Sequence, residues 1–215
     1  MKSLSFTLKV MVAPILLLGV VLFFFACNVD NPIIQTPSDN VFDDWAVRVE
    51  NDAAEFSKTY PVSETNPFVF ASYDELMTHL KYGTGVVAFG FPECPRCRNA
   101  FPVLEKAFHE MDMDKHAGFR GRILYYNVYG DRESNNERYQ AIVDYLGEFL
   151  QHDDSGNPRV YMPDIFFVAA GKIVGNHLDT VESLLDPYEP LNDEQEAELL
   201  GIYKNLMEKV EDCNC

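Results

Sequence analysis

Two cysteines, Cys94 and Cys97, lie three positions apart where a predicted strand ends and a predicted helix begins. The strand is the continuous apolar run from Gly85 to Phe91, a pattern typical of a strand buried on both faces. A helix is predicted after it, because apolar residues recur with a 3.6-residue period at Phe101, Leu104, Phe108 and Met111. The chain must therefore adopt a fold that joins a buried strand to a helix start through a short connection carrying both sulfurs.

Further apolar patterns predict an alternation of strands and helices around this pair. The additional strands are Pro67 to Ala71, Arg122 to Tyr129, Asp164 to Ala169 and Lys172 to Val174. Ala170-Gly171 separates the last two strands and indicates a tight hairpin. The predicted order is β α β α β α β β α, with a β-α-β unit around the cysteines.

Capping residues mark where the other helices begin. The predicted caps pair Ser72 with Glu75, Ser134 with Glu137, and Asn192 with Gln195. Before these elements, apolar residues between Val41 and Phe56 recur at near-helical spacing and predict an amphipathic helix. Trp45 in this helix is expected in the core or an interface.

Residues 1–26 are interpreted as an export signal, because two lysines precede an apolar run from Val10 to Ala26. An uncleaved membrane anchor is the alternative, since the run has about the length of a short transmembrane helix. Ala26-Cys27 resembles the bacterial lipobox, in which the cysteine is lipidated and becomes the mature N-terminus. Residues 27–40 would then be a lipid-anchored tether, and the domain would lie on the extracytoplasmic face of the cell membrane.

Composition excludes several classes of protein. Hydrophobic residues make up 47% of the chain and charged residues 24%, which argues against a disordered or multi-span membrane protein. Acidic residues outnumber basic ones by 34 to 17, for a formal charge of −17. Such a surface repels phosphate backbones, so nucleic acid is not an expected partner.

The element order and the Cys94-Pro95-Arg96-Cys97 motif resemble the thioredoxin fold over roughly Pro67 to Val210. Pro102 lies eight residues after Cys94, where thioredoxins carry a helix-kinking proline, and Met162-Pro163 matches the family's cis-proline. The resemblance implies an α/β fold with a mixed central sheet flanked by helices. Residues 41–60 would be an N-terminal helical extension, 66–211 the thioredoxin-like domain and 212–215 a cysteine-containing tail.

The narrower likeness is to lipobox-bearing thioredoxin-like proteins of Gram-positive bacteria related to bacteriocin transport accessory proteins. Gly90 to Pro95 and Asp186 to Leu191 resemble segments of that group.

The motif predicts thiol–disulfide chemistry. Cys94 would be the nucleophile, because the helix N-terminus favours a thiolate, and it is expected to be exposed. Cys97, further into the helix and buried, would resolve the mixed disulfide. Met162 and Pro163, joined by a cis bond, would contact the substrate. The expected partners are protein thiols or disulfides and a redox donor, and no cofactor is required.

Three neighbours are expected to tune the pair. Pro95 and Arg96 favour an oxidising pair, because the Arg96 charge would stabilise the Cys94 thiolate, whereas Glu93 opposes it; Arg96 could instead be a solvated surface residue. Two positions depart from the family, since Glu93 replaces a tryptophan and Ala88 replaces a buried aspartate. The usual proton acceptor is therefore expected to be missing.

Cys213 and Cys215 form a terminal C-x-C for which three interpretations remain open. They could be a plain tail, a second redox pair, or half of a four-cysteine zinc site with Cys94 and Cys97. The histidines show no ligand spacing, and no metal site is expected from them: His79, His109, His116, His152 and His177.

The sequence thus favours a membrane-tethered thiol–disulfide oxidoreductase. The alternatives are a non-enzymatic accessory lipoprotein that keeps the fold and assists secretion, and a metal-binding protein that uses four cysteines as ligands.

Overall fold

The computed structural model describes residues 39–115 and 121–212, with side chains from Ala46 onward. The signal, Cys27 and most of the predicted tether lie outside these residues, as do the Trp45 side chain and the Cys213/Cys215 pair. The helices are α1 Asp39–Thr59, α2 Tyr73–Tyr82, α3 Pro95–Glu110, α4 Tyr129–Ser134, α5 Glu137–Leu146 and α6 Asp193–Asp212. The strands are β1 Phe68–Phe70, β2 Gly85–Gly90, β3 Ile123–Asn127, β4 Gln151–His152, β5 Pro158–Arg159, β6 Asp164–Ala169 and β7 Lys172–Leu178.

Five strands form one mixed sheet in the order β1-β3-β2-β6-β7. Strands β1 and β2 run parallel to β3, β6 is antiparallel to β2, and β7 is antiparallel to β6. Strand β2 is central and all six of its residues are buried, which confirms the prediction from its unbroken apolar run. The α/β class and the β-α-β unit around the cysteines are likewise confirmed.

The pleat of the central strands divides the apolar residues between two cores. Val86 and Ala88 of β2 face a core that also contains residues of α1, α3 and α6, together with both cysteines. Val87 and Phe89 face a second core built with α2 and α5. Because successive strand residues point to opposite faces, a fully apolar strand supplies both cores at once.

Two of the three predicted helix caps are confirmed. Ser72 and Glu75 form a reciprocal capping box, and Asn192 and Gln195 exchange the corresponding hydrogen bonds. The predicted cap at Ser134 is wrong, because Ser134 ends α4 and its hydroxyl donates to the Gly130 carbonyl.

The cap of α5 lies two residues later, at Asn136, whose side chain accepts from the Tyr139 amide. Asn135 adopts a left-handed conformation, with φ 47°, between the two helices. Asparagine tolerates this conformation, so it can end one helix and allow the next to begin.

The hairpin between β6 and β7 needs glycine at its second turn position. Ala170 and Gly171 both have positive φ, 49° and 76°, as a two-residue turn between twisted strands requires. A Cβ atom at Gly171 would lie 2.0 Å from the Lys81 carbonyl oxygen. The predicted tight hairpin is confirmed, and it packs directly on the end of α2.

Helix α1, within the predicted N-terminal extension, covers the edge strand β1. The Phe70 amide donates to Asp52, and Arg48 donates to the Phe70 carbonyl and to Glu75 of α2. Hydrogen bonding from Arg48 lowers the pKa of Glu75 to about 2. Side chains of α1 therefore form hydrogen bonds with backbone groups of β1 that could otherwise pair with a strand of another chain.

The sequence patterns did not predict helix α4 or the small antiparallel ladder of β4 and β5. Both are too short to show a hydrophobic period. Among the described residues, no helix is long and apolar enough to cross a membrane.

Candidate active site

Cys94 is the N-cap residue of α3. The chain turns after β2, where the Cys94 amide donates to the Phe91 carbonyl at 3.1 Å, and the helix begins at Pro95. Proline suits the first helical position because it has no amide to leave unpaired there. The Cys97 amide then donates to the Cys94 sulfur at 3.1 Å. The sulfur thus occupies the place of a capping oxygen, where a thiolate would be stabilised by the helix end.

Cys94 and Cys97 form a disulfide, with their Cα atoms 5.2 Å apart. Cys97 is fully buried, as predicted, but the expectation that Cys94 is exposed is wrong, because the residue is only 1% exposed. The Met162 carbonyl oxygen lies 3.6 Å from its sulfur. A segment 68 positions away therefore lies beside the predicted nucleophile, which the local sequence could not reveal.

The Met162–Pro163 peptide bond is cis, and it directly precedes β6. Antiparallel pairing of β6 with β2 brings the start of β6 to the end of β2, next to the cysteine turn. The structure therefore brings together the four residues Cys94, Cys97, Met162 and Pro163, as the sequence predicted. Met162 remains partly exposed beside the sulfur.

Arg96 forms an ion pair with Asp179, at 2.8 Å, and is not an isolated surface charge. Both side chains are partly exposed, at 29% and 42%. Asp179 follows β7, and its amide donates to the Pro163 carbonyl at 2.8 Å. The sequence analysis missed Asp179, because its partners lie far away in the chain. Glu93 is exposed on the turn before the helix.

Ala88 lies on the face of β2 that packs against α3. Alanine has no carboxylate, so the buried proton acceptor of the thioredoxin family is absent at this position. The register partner of Ala88 on β3 is Tyr125, whose hydroxyl lies 3.0 Å from that of Tyr60. Burial raises the pKa of Tyr125 to about 12 and that of Tyr60 further above its usual value. Both hydroxyls therefore stay protonated near neutral pH and do not replace the carboxylate as a proton acceptor.

A buried carboxyl group does lie next to Pro163, at Asp164. This residue is 2% exposed, and burial raises its pKa to about 8. Its one described side-chain partner is Asn176, which donates to Oδ1 at 3.0 Å. By the pleat of β6 it shares a face with Phe166, in the core opposite α3. The sequence signal was an acidic residue directly before an apolar strand.

Two cavities flank the cysteine motif. One, of about 580 Å³, includes both members of the Arg96–Asp179 pair in its lining. The other, of about 240 Å³, is lined by Pro95 together with residues of the predicted Asp186 to Leu191 segment. Asn99 of α3 holds that segment by donating to the Glu189 carbonyl at 2.9 Å. Groups from the loop before α6 therefore border both sides of the motif.

Helix α6 runs alongside α3 in the same direction, because Glu196 near its start pairs with Lys106 and Lys204 pairs with Glu110 further along both helices. Lys204 of α6 pairs with Glu110, the last residue of α3, about 24 Å along that helix from Cys94 at 1.5 Å per residue. Helix α6 continues for eight more residues, to Asp212. Among the described residues, no group of three or more candidate ligands could hold a metal ion.

Comparison with protein-family models, curated proteins and solved structures gave no match to this chain. The chemistry of the site follows from three features of its geometry. Cys94 lies at a helix N-terminus, Cys97 is bonded to it from within the helix, and the Met162–Pro163 segment lies beside the Cys94 sulfur.

Proposed function

We propose that the protein is a thiol–disulfide oxidoreductase of the thioredoxin fold that uses Cys94 and Cys97. The observation that carries the proposal is the environment of Cys94 at the start of α3. Its sulfur accepts a hydrogen bond from the Cys97 amide, forms the disulfide with Cys97, and lies beside the Met162 carbonyl. Both sulfurs are thus placed to exchange one disulfide bond, with the backbone amide ready to stabilise the Cys94 sulfur as a thiolate.

The proposed reaction moves two electrons between the cysteine pair and a substrate dithiol. A substrate thiolate attacks the Cys94 sulfur, the Cys94–Cys97 bond breaks, and Cys97 leaves as a thiolate. A second substrate thiolate then attacks the substrate sulfur of the mixed disulfide and releases Cys94 as a thiolate. The substrate gains a disulfide, the protein becomes a dithiol, and the two protons from the substrate thiols reprotonate the cysteines. Run in reverse, the same steps reduce a substrate disulfide.

The substrate would be a polypeptide that lies along the Met162–Pro163 segment. Pro163 has no amide hydrogen, and its carbonyl is already occupied by the Asp179 amide. Met162, whose backbone carbonyl lies beside the reactive sulfur, also has a flexible apolar side chain that could contact such a polypeptide. Since Cys94 is buried, the substrate must approach beside this segment to reach it.

The thioredoxin fold is supported by the mixed five-stranded sheet, by the helix that begins at the cysteine pair, and by the cis bond facing it. Pro102 lies inside α3, as the resemblance implied.

The reduction equilibrium of the cysteine pair tests the proposed chemistry. When the protein is incubated with increasing ratios of reduced to oxidised glutathione, we expect the Cys94–Cys97 disulfide to open and re-form reversibly. Differential alkylation with peptide mass mapping should assign the transition to these two cysteines. If the Cys94–Cys97 disulfide does not equilibrate with glutathione under native conditions, the proposed oxidoreductase activity is rejected. A binding role for the protein is then favoured.

We further propose that the domain is tethered to the outer face of the cell membrane through Cys27. Mass spectrometry of the membrane-bound protein should then find Cys27 as a diacylglycerol-modified N-terminus. Cys27→Ser should abolish that modification and either release the protein or leave the signal uncleaved. An intact Met1–Ala26 segment on the wild-type protein would instead indicate a membrane anchor.

A further inference from the structure

We propose that Asp179 is a positioning residue that limits how strongly Arg96 stabilises the Cys94 thiolate. This inference rests on the proposed function, because it concerns the redox potential of the same cysteine pair. The motif alone was expected to set the stability of the Cys94 thiolate. The inference gives part of that control to a residue outside the motif.

The Arg96 charge is held away from its sequence neighbours by Asp179. Arg96 lies between the cysteines in sequence, yet its guanidinium donates to Asp179 Oδ1 at 2.8 Å, across 83 positions. Meanwhile the Cys94 sulfur contacts the Cys97 amide and the Met162 carbonyl. A guanidinium held at this carboxylate is kept from turning toward the Cys94 sulfur, and the effect of a charge on the sulfur weakens with distance.

Asp179 is fixed in this position by the backbone and side chains of its own loop. Asp179 has φ 73°, a left-handed conformation that is uncommon for residues other than glycine. Its amide donates to Pro163, and its Oδ1 atom also accepts from the Thr180 amide at 2.7 Å and the Thr180 hydroxyl at 3.2 Å. The carboxylate is thus oriented by its own loop and does not depend on Arg96 for its direction. Non-glycine residues in this conformation cluster at functional sites.

Other titratable groups surround the cysteine turn and the Asp179 loop. Glu93 is exposed before the helix, while Arg98 donates to the Thr59 carbonyl at 2.8 Å. His177 of β7 is a hydrogen-bond partner of the Thr180 carbonyl, and burial lowers its pKa. The Asp179 carboxylate is one of the charges that raise the pKa of His177, so its removal lowers that pKa further and keeps the imidazole neutral near pH 7, while the contact of Arg98 stays in place.

Asp179→Asn tests the inference through the pKa of Cys94 in the reduced protein. The substitution keeps the size of the side chain and tolerates positive φ, but it removes the carboxylate that holds the guanidinium, so Arg96 can turn toward the sulfur. We expect the Cys94 pKa, measured from the pH dependence of its alkylation rate, to fall by up to about one unit. The disulfide should become more oxidising against glutathione, because the reduced form gains stability.

A double-substitution cycle with Arg96→Gln separates positioning from a direct charge effect. Arg96→Gln alone should raise the Cys94 pKa, and in that background Asp179→Asn should shift it clearly less than in the wild type. Glu182→Gln, which removes a carboxylate from the same cavity, is the matched control and should have little effect. If the asparagine variant folds poorly, Asp179→Gly repeats the test, because glycine adopts positive φ without strain.

Two results would overturn the inference. An equal shift in both backgrounds would mean that Asp179 acts by its own charge, and no shift in either asparagine or glycine variant would mean that the ion pair does not control the thiolate. Both are distinct from a failure of the proposed function, in which the wild-type pair itself would not equilibrate with glutathione.

Discussion

Cys94→Ser should reduce disulfide exchange with a dithiol substrate to the uncatalysed rate. The physical reason is that the sulfur at this position is the one capped by the Cys97 amide and bordered by the substrate segment at Met162. A serine hydroxyl can still cap α3, so the fold should persist while the chemistry is lost. Turnover of a fluorescent dithiol peptide, with circular dichroism as a check on folding, measures the effect.

Cys97→Ser should behave differently from Cys94→Ser. Without the buried second sulfur, mixed disulfides on Cys94 cannot be resolved, so covalent complexes with protein partners should accumulate and disappear on reduction. These complexes would identify the natural substrates and the redox donor.

The chain offers a matched control in the double variant Cys213→Ser/Cys215→Ser, which makes the same change outside the Cys94–Cys97 motif. It should keep its turnover with a small dithiol. Loss of turnover with a physiological donor alone would assign the terminal pair to electron relay. Full activity of Cys94→Ser would contradict the proposed enzyme and support the accessory role.

Asp164→Asn should stabilise the folded protein at alkaline pH. The pKa of Asp164 is about 8 in the folded state and close to 3.8 in the unfolded chain, because burial disfavours its charged form. The folded state therefore holds the proton more tightly, and the free energy of unfolding should fall as pH rises from about 4 to 8. Each unit of difference is worth about 1.4 kcal/mol, so the full effect amounts to several kcal/mol.

Urea unfolding of the oxidised protein between pH 4 and pH 9 measures this effect. Asparagine retains an oxygen that accepts from Asn176, and it cannot ionise. Its advantage over wild type should therefore be small at pH 4, grow by about 1.4 kcal/mol per pH unit above that, and level off near pH 8. Asp144→Asn, on the exposed face of α5, is the control and should not change the pH profile. A wild-type stability that is constant between pH 5 and pH 8 would contradict the assignment.

Much of the fold was predictable because the signals are local. The unbroken apolar run of β2 can be satisfied only by burial on both faces, and the Ser72–Glu75 box requires only residues three apart. The same holds for Cys94, whose capping partner is the amide three residues on. The cis bond at Met162–Pro163 was expected from a family resemblance, and it too involves neighbouring residues.

The error at Ser134 shows where local signals compete. Ser134 and Asn136 are both good capping residues two positions apart, and the left-handed Asn135 decided between them by ending α4 first. Nothing in the hydrophobic period distinguishes the two, because α4 contributes no buried residue.

The sequence by itself determined which residues carry the proposed chemistry, since a C-x-x-C after a buried strand and before a helix already places two sulfurs at a helix N-terminus. Only the tertiary structure decided how those sulfurs are surrounded. The burial of Cys94, the pairing of Arg96 with Asp179 and the raised pKa of Asp164 all depend on antiparallel pairing of β6 with β2 and β7. Such contacts join residues far apart in the chain, and the strength of a charge depends on its partners and its exposure to water, which no local pattern records.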